Sequence, residues 1–190
     1  MDKHELTELL CRVADGSVSP DEAALKLKMQ PFEEIGEYAK VDMHRGIRQG
    51  VPEVIYGAGK TKEHILGIAR AMLQNGQETV LITRLCREAA DFVAAELPLE
   101  YHEIAKIGII GGMPEKSGRG RIVVATGGTS DMPVAEEAAL TAEALGNEVL
   151  RLYDVGVSGI HRLLSHMDAI MGARAVVAVA GMEGALPSVI

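Results

Sequence analysis

The stretch RIVVATGGTSDMPVAEEAAL, residues 121–140, decides the fold. It begins with a short apolar run, passes through two adjacent glycines, and continues into an alanine-rich segment with helical periodicity. The run RIVVAT is apolar on both faces, which is typical of a parallel strand buried between two layers of helices. Pro133 suits the first turn of a helix, and Asp131 can cap it. The stretch therefore predicts a strand, a glycine loop and a helix, in that order.

The loop inside this stretch has the composition of an anion cradle. Two glycines allow the backbone to approach a ligand closely, and two hydroxyl side chains add hydrogen-bonding groups. Doubly wound sheets bind their ligands at the carboxyl ends of strands, where this loop falls. An ordinary capped helix start is the alternative. The candidate binding residues are Gly127, Gly128, Thr129, Ser130 and Asp131.

Strands and helices alternate from residue 53 to the end of the chain. Apolar runs such as ETVLITRL and AVVAVAGM are separated by helical segments of ten to fifteen residues. This alternation predicts βαβ units, a parallel sheet and a doubly wound α/β fold. Residues 1–29 predict two short helices, with Ser19 and Glu22 forming a capping box. The polar segment GMPEKSGRG predicts a boundary between an N-terminal helical and α/β region, 1–118, and a parallel α/β domain, 119–190.

Two further loops follow later strands of the same predicted sheet. GVSGIHRLL places His161 and Arg162 at a strand-to-helix junction, and GMEGALP places Glu183 between Gly181 and Gly184. Because parallel strands end at the same edge of a sheet, we expect the three glycine-containing loops to converge on one crevice. A histidine, an arginine and a carboxylate beside backbone donors suit acid–base chemistry on an anionic substrate.

The stretch IYGAGKTKEH resembles a nucleotide-binding P-loop but lacks one required residue. A P-loop needs a glycine five positions before Gly59, the glycine of GKT. Val54 occupies that position, so the pattern does not predict an NTPase. A short glycine loop, a helix start capped by Thr61 and the charge of Lys60 can still hold one anionic group. Just upstream, an acid and two arginines suit carboxylate or phosphate recognition, and a solvated salt-bridged turn is an equal alternative. These residues are Asp42, Arg45 and Arg48.

Composition excludes several classes of function. The formal net charge of −8 and the pI near 5.3 argue against non-specific nucleic-acid binding. Cys11 and Cys86 lie far apart with no CxxC motif, which fits a reducing cytoplasm and predicts no zinc site. The N-terminus lacks the apolar core of a signal peptide, and no apolar run reaches the roughly 18 residues of a membrane span. We therefore expect a cytoplasmic protein with no membrane or nucleic-acid partner.

The three loops resemble those of the phosphoribosylaminoimidazole carboxylase/mutase (PurE-like) family of purine synthesis. That family has a GSxSD loop, an SAHR loop and an AGxxxHLP-type loop. The corresponding segments here are GGTSD, SGIHR and AGMEGALP, starting at Gly127, Ser158 and Ala180. Two departures stand out. An extra residue separates Ser158 from His161, and the third loop carries Glu183 in place of the family's small and histidine residues.

With these departures and the segment VDMHRGIRQGVPEVIYGAGKT, the chain resembles a sister family. This is the LarB family of nickel-pincer cofactor biosynthesis. The resemblance covers nearly the whole chain and implies a PurE-like, flavodoxin- or Rossmann-like domain. It implies carboxylation at C5 of the pyridinium ring of nicotinic acid adenine dinucleotide, with CO2 or bicarbonate as co-substrate. It also implies hydrolysis of the phosphoanhydride, giving AMP and pyridinium-3,5-dicarboxylate mononucleotide. We expect no organic cofactor, and Mg²⁺ is a candidate ion on the pyrophosphate.

The resemblance suggests roles for the candidate residues. The loop from Gly127 to Asp131 would bind the ribose phosphate, and Arg162 would pair with an anion or brace the crevice. Glu183 would take the ring proton or stabilise the cationic ring, and His161 would act as an acid or base. Asp42 would orient the nearby arginines or hold Mg²⁺. The substrate's carboxylate, the incoming carboxylate or the pyrophosphate would be held by Arg45, Arg48 and Lys60.

The resemblance also implies a cysteine nucleophile in a segment after the third loop. Neither Cys11 nor Cys86 matches it, and the chain ends in what reads as the first turns of a helix. We therefore expect a chain truncated at its carboxyl end that does not carboxylate by itself. Two alternatives stay open: an aminoimidazole ribonucleotide carboxylase/mutase, or a non-catalytic nucleotide-binding fragment. Both resembling families imply a homo-oligomer, an octamer.

Overall fold

The chain folds as an α/β protein in which two sheets share one helix. The computed structural model describes residues 3–29, 32–36, 38–42, 45 and 50–190. One sheet is built from residues between 55 and 110, and the other from residues between 121 and 179. The α/β class expected from the alternation of strands and helices is confirmed. No helix within these residues is long and apolar enough to cross a membrane.

A helical hairpin opens the described chain. Helices α1 (Lys3–Ala14) and α2 (Pro20–Met29) correspond to the two helices predicted for this region. The predicted capping box is confirmed, because the Ser19 hydroxyl accepts from the Glu22 N–H at 3.1 Å and the Glu22 carboxylate accepts from the Ser19 N–H at 3.0 Å. The hairpin has a small core of its own, made by Leu9, Val18 and Ala23.

A two-stranded antiparallel hairpin follows and packs on the next helix. It consists of β1 (Phe32–Ile35) and β2 (Ala39–Asp42), and both strands contact α3 (Lys62–Gln74). Helix α3 begins after Thr61, whose hydroxyl accepts from the His64 N–H at 3.2 Å. Thr61 therefore caps this helix, as the sequence predicted.

The first sheet has four strands in the order β3-β4-β6-β5. Strands β3 and β4 are parallel, whereas β6 is antiparallel to both of its neighbours. The prediction of a parallel sheet from residue 53 onward thus holds for β3 and β4 and is wrong for the pairings of β6. The strands and the helix between β4 and β5 are β3 (Ile55–Tyr56), β4 (Val80–Thr83), α4 (Arg87–Ala94), β5 (Leu99–His102) and β6 (Ile107–Ile110).

The antiparallel pairing has a simple cause. Only residues 103–106 separate β5 from β6, and parallel strands need a crossover of a dozen or more residues. The turn closes with Lys106 at a φ of 51°, and the Lys106 N–H donates to the Glu103 carbonyl. The strand after this turn can therefore only run back along its neighbour.

The second sheet has three parallel strands in the order β8-β7-β9. Its central strand β7 is buried over its last four residues, as the apolar run RIVVAT predicted. Helix α5 connects β7 to β8, and two short helices connect β8 to β9. The elements are β7 (Arg121–Thr126), α5 (Met132–Ala144), β8 (Glu148–Leu152), α6 (Ile160–Leu164), α7 (Met167–Met171) and β9 (Ala175–Val179).

Helix α5 packs against both sheets. On one side Ala135 and Ala139 contact Val124 in the second sheet. On the other side Leu140 and Ala144 pack against the first sheet. An ion pair at 2.9 Å between Arg84, just after β4, and Glu137 on α5 adds a polar link at the surface. The residues of the first sheet and its loops that α5 covers are Leu81, Ala105, Ile107 and Ile109.

The strand order creates a crevice at one end of the second sheet. From β7 the chain moves to β8 on one side, then crosses back to β9 on the other side of β7. Where the connections after two adjacent strands lead to opposite sides, an opening is left outside the carboxyl ends of those strands. Doubly wound sheets bind their ligands in such openings. The opening lies where β7 and β9 end, at Thr126 and Val179.

Candidate active-site crevice

Three loops at the carboxyl ends of β7, β8 and β9 enclose one crevice. Its volume is about 170 Å³. The expected convergence of these loops is therefore what the structure shows. The lining residues are Gly127, Gly128, Ser130 and Asp131 from the first loop, Gly156, Val157 and Ser158 from the second, and Ala180, Gly181, Met182, Glu183 and Leu186 from the third.

Glycines hold the three loops at backbone contact. A Cβ on Gly156 would lie 2.3 Å from the carbonyl oxygen of Gly127, so the first two loops touch main chain to main chain. A Cβ on Gly127 would lie 3.4 Å from the Cβ of Ala180, which starts the third loop. The Gly127 N–H also donates to the carbonyl of Val179 at 2.9 Å. The crevice is therefore preformed by the main chain.

Asp131 joins the first loop to the third. Its Oδ2 accepts from the Gly128 N–H at 3.0 Å, and its Oδ1 accepts from the Gly181 N–H at 2.9 Å. The sequence suggested Asp131 as a cap for α5, but its side chain makes no capping bond to that helix. The carboxylate instead lies in the wall of the crevice with an N–H donor at each oxygen.

The hydroxyl residues of the first loop stand at the start of a long helix. Thr129 and Ser130 are exposed on a short 3₁₀ turn (Thr129–Asp131) that leads directly into the thirteen residues of α5. The first N–H groups of a helix have no acceptor within it, and the helix dipole places partial positive charge there. Ser130 lines the crevice, whereas Thr129, which precedes it in the turn, does not. The part of the crevice best suited to an anion is therefore at Ser130.

The second loop is held by a buried threonine and a strained aspartate, which sequence reasoning missed. Thr126 is fully buried at the end of β7, and its Oγ1 accepts from the Asp154 N–H at 2.9 Å. Asp154 has a φ of 57°, in the left-handed region that few non-glycine residues adopt. Its carboxylate forms an ion pair with Arg162. The only signal in the sequence was a threonine ending an otherwise apolar strand.

His161 and Arg162 do not line the crevice. Among the residues that the structure describes, the lining includes neither of them. His161 is exposed on α6, and Arg162 is partly exposed beside Asp154. Arg162 therefore braces the second loop from outside. Glu183 does line the crevice, next to Gly184, whose φ is 67°.

The four candidates from the N-terminal region lie elsewhere or outside the described chain. Lys60 lines a separate cleft at the starts of α3 and α4, together with Cys86. The Asp42 N–H donates to the carboxylate of Glu53, and Arg45 is partly buried. Arg48 lies outside the described residues. Within the described chain, none of these side chains lines the crevice.

Both cysteines are described, and both are exposed. Cys11 lies in α1, and Cys86 is the residue before α4. Neither belongs to the lining of the crevice as the described residues form it. Among the side chains that the structure describes, no group of three or more His, Cys, Asp or Glu is arranged to hold a metal ion.

A charged network fastens α5 to β8 beside the crevice. Arg151 makes a bidentate pair with Glu143, at 2.6 and 2.7 Å, and contacts Glu136 at 3.3 Å. These carboxylates raise the pKa of Arg151 further above its ordinary value, chiefly through the hydrogen bonds to Glu143. Burial, followed by its 2.6 Å hydrogen bond to Glu136, raises the pKa of Tyr153. The network fixes the helix that begins directly after the first loop of the crevice.

The fold and the crevice define a doubly wound α/β protein with a glycine loop suited to an anionic ligand at its strand ends. A family model described as the LarB/PurE-like N-terminal domain matches residues 32–112. The chain is also 38% identical over 193 residues to the uncharacterized protein MJ0165 of Methanocaldococcus jannaschii, covering 97% of this chain and 75% of that protein. The chain belongs to the LarB/PurE-like family, and this relation connects it with carboxylases.

Proposed function

We propose that the protein carboxylates C5 of the pyridinium ring of nicotinic acid adenine dinucleotide and hydrolyses the phosphoanhydride of that substrate. CO2 or bicarbonate supplies the new carboxyl group. The products are AMP and pyridinium-3,5-dicarboxylate mononucleotide. Membership of the LarB/PurE-like family supports the carboxylase class. The departures of the second and third loops from the purine-type pattern, together with the N-terminal segment, support the choice of substrate.

The observation that carries the proposal is the meeting of three loops at the end of β7. The first loop brings the N–H and hydroxyl groups of Ser130 into the crevice at the positive end of α5, with Thr129 next to it in the same turn. The third loop brings a carboxylate, Glu183, into the lining of the same crevice. Groups suited to a phosphate and a group able to take a proton therefore lie in one place.

The volume of the crevice fits part of the substrate. Sites for drug-sized ligands usually measure about 300–1,000 Å³, whereas this crevice measures about 170 Å³. In our proposal it holds the ribose phosphate next to the pyridinium ring, and the adenosine half extends beyond it. The anhydride would then lie at the mouth of the crevice, where water can reach it.

Glu183 is the proposed base for the ring proton. Carboxylation replaces the C5–H bond by a C5–C bond to the carboxyl carbon, and one proton must leave the ring. Glu183 is exposed and lines the crevice, so its carboxylate can receive that proton and pass it to solvent. Because neither Cys11 nor Cys86 lines the crevice, the described residues account for binding and proton removal but supply no thiol nucleophile.

The cationic residues of the N-terminal region are assigned to the outer part of the substrate. We keep Arg45, Arg48 and Lys60 as proposed partners of its carboxylate or pyrophosphate. Lys60 lies in a cleft at two helix starts, where a phosphate is favoured. Asp42 is the proposed orienting residue, or a ligand for Mg²⁺ on the pyrophosphate.

The first test combines binding with turnover. The 190-residue chain and the M. jannaschii relative are each incubated with nicotinic acid adenine dinucleotide, ¹³C-bicarbonate and Mg²⁺, and the products are analysed by mass spectrometry. Parallel calorimetric titrations measure the binding of the dinucleotide and of aminoimidazole ribonucleotide. We expect both proteins to bind the dinucleotide. Release of AMP and a mononucleotide carrying the ¹³C label are expected from the relative, because the described residues of this chain supply no thiol nucleophile.

The outcomes separate the candidate functions. Carboxylation of aminoimidazole ribonucleotide would replace the proposal with a purine-type carboxylase/mutase. Binding of the dinucleotide by both proteins without any turnover would indicate a non-catalytic nucleotide-binding module. If neither protein bound or converted the dinucleotide, the proposal would be overturned. Turnover by the relative alone, with binding by both, would place the nucleophile in the part of the relative that the match does not cover.

Substitution Glu183→Gln tests the proposed base in a protein that turns over. The amide keeps the shape of the side chain but cannot accept the ring proton, so carboxylation should be lost while binding of the dinucleotide stays nearly unchanged. Glu115→Gln, an exposed residue in the loop between the two sheets, is the matched control and should keep full activity. Unchanged carboxylation in Glu183→Gln would remove this residue from the proposed chemistry.

The proposal includes assembly into a homo-oligomer, an octamer as the family resemblance implies. Val176 and Val177 of the edge strand β9 are 37% and 38% exposed, although an apolar strand of this kind is typical of a sheet interior. Such an edge favours association with another chain. Light scattering coupled to size-exclusion chromatography measures the mass directly. A monomer at micromolar concentration would contradict this part of the proposal.

A further inference from the structure

We propose that Asp131 is a positioning residue, which holds the third loop against the first, and that it is not a ligand of the substrate's phosphate. The sequence had grouped Asp131 with the phosphate-binding residues of the glycine loop. The structure instead shows its carboxylate bound to the backbone on both sides, at Gly128 and at Gly181. These two contacts connect the loop after β7 to the loop after β9.

The contact with the third loop is close and specific. Gly181 lies fifty residues further along the chain than Asp131, and its N–H donates to Oδ1 at 2.9 Å. A Cβ on Gly181 would lie 3.1 Å from that oxygen, which is tighter than most Cβ contacts. The carboxylate thus binds the glycine at the point where the chain leaves β9.

This bond controls the position of the proposed base. The far end of the third loop is anchored by Leu186, which is 1% exposed and packs in the core of the second sheet. Between Gly181 and that anchor, Met182 is 92% exposed and Glu183 is also exposed. Asp131 therefore fixes the near end of the segment that carries Glu183.

Charge and hydrogen bonding both argue against Asp131 as a phosphate ligand. A carboxylate repels a phosphate group, and the Gly128 and Gly181 N–H groups are already occupied by Asp131 itself. The donors left for a phosphate in this loop are those of Thr129 and Ser130 at the start of the helix. The loop thus divides into residues for binding and one residue for positioning.

Amide hydrogen exchange measured by NMR tests the positioning role without reference to any substrate. The variants are Asp131→Ala, the isosteric Asp131→Asn, and Ser130→Ala as the matched control in the same turn. The amides followed are those of Gly181 and Gly128, which donate to Asp131. The amide of Gly127 serves as an internal reference, because its acceptor is the carbonyl of Val179.

The expected exchange pattern is specific. Asp131→Ala should speed exchange at Gly181 by about tenfold to a hundredfold, as expected for the loss of a bond to a charged acceptor. Asp131→Asn should fall between it and the wild type, because the amide oxygen can accept only one of the two bonds. Gly127 should stay unchanged in both, and Ser130→Ala should leave Gly181 unchanged. Equal exchange at Gly181 in the wild type and in Asp131→Ala, both folded by NMR, would overturn the proposal.

The second readout rests on the proposed function and uses nicotinic acid adenine dinucleotide as the probe. In a protein that turns over, Asp131→Asn should lower kcat at least tenfold with little change in affinity for the dinucleotide, whereas Ser130→Ala should weaken affinity. A loss of affinity in Asp131→Asn larger than in Ser130→Ala would make Asp131 a ligand and overturn the inference. If no variant and no wild-type protein bound the dinucleotide, the proposed function would fail while the exchange result still decided the role of Asp131.

Discussion

Substitution Gly156→Ala should destabilise the protein, because the first two loops of the crevice meet at this residue. The added Cβ would lie 2.3 Å from the carbonyl oxygen of Gly127, whereas real Cβ atoms essentially never come closer than 3.0 Å to another atom of this kind. The two backbones would have to separate by roughly 0.7 Å, and the obstacle is main chain, which has no alternative rotamer. The φ of −59° and ψ of 154° at Gly156 suit alanine well, so the cost comes from the contact alone.

The magnitude follows from two opposing effects. Overpacking in a tight site costs about 1–3 kcal/mol, and a backbone obstacle places Gly156→Ala near the upper end. Replacing glycine by alanine also reduces the entropy of the unfolded chain, which stabilises the fold by about 0.4–1 kcal/mol. The net loss in the free energy of unfolding should be about 2 kcal/mol. For a chain of this size, that lowers the melting temperature by about 4–8 °C.

Gly128→Ala is the matched control within the same crevice. A Cβ there would have no neighbour within 4 Å, and the φ of −150° is extended backbone that any residue adopts. Only the entropic effect remains, so this variant should be about 0.4–1 kcal/mol more stable than the wild type. Urea unfolding followed by circular dichroism measures both free energies. Two variants with the same free energy of unfolding would refute the reasoning, because only Gly156 faces a backbone atom.

Three further predictions concern the surroundings of the crevice. Thr126→Val should lower the free energy of unfolding by about 1–3 kcal/mol, because the Asp154 N–H loses its acceptor. Thr126→Ser keeps the hydroxyl and should cost less. Urea unfolding measures the free energy of both variants. Tyr153 should ionise above the ordinary tyrosine pKa of about 10, because burial and the bond to Glu136 favour its neutral form, so its stabilisation is complete below about pH 10 and is lost at higher pH. The difference between near-ultraviolet titrations of wild type and Tyr153→Phe isolates this phenol, and a midpoint at about pH 10 would contradict the prediction. Leu186→Ala should lower the free energy of unfolding by about 2–5 kcal/mol, because Leu186 is buried. A smaller loss, measured by thermal unfolding, would mean that this end of the third loop is not anchored.

The central unit of the second sheet could be predicted because its signals are local. An apolar run buried on both faces, two glycines and a proline in the first helical turn lie within twenty consecutive residues. The capping box of α2 and the cap at Thr61 are equally local, since each joins residues three positions apart. In these places the chain itself contains the information that determines the structure.

Features that depend on an unusual backbone conformation or on pairing between distant segments could not be predicted. The antiparallel turn of β5 and β6 requires Lys106 at a positive φ, without the glycine or asparagine that usually marks such a turn. The bond from Asp131 to Gly181 exists only because β7 and β9 are neighbours, which is a property of the strand order. The direction of Arg162 likewise follows from the unusual backbone of Asp154.

The helix that packs against both sheets limits how this architecture can be recombined. Helix α5 starts at the crevice, yet its Leu140 and Ala144 belong to the interior of the first sheet. A chimera that joined residues 119–190 to a foreign N-terminal half would have to reproduce the surface offered by Leu81, Ile107 and Ile109. Gene fusion or shuffling between the two sheets would therefore succeed only between halves that already share this helix-binding surface.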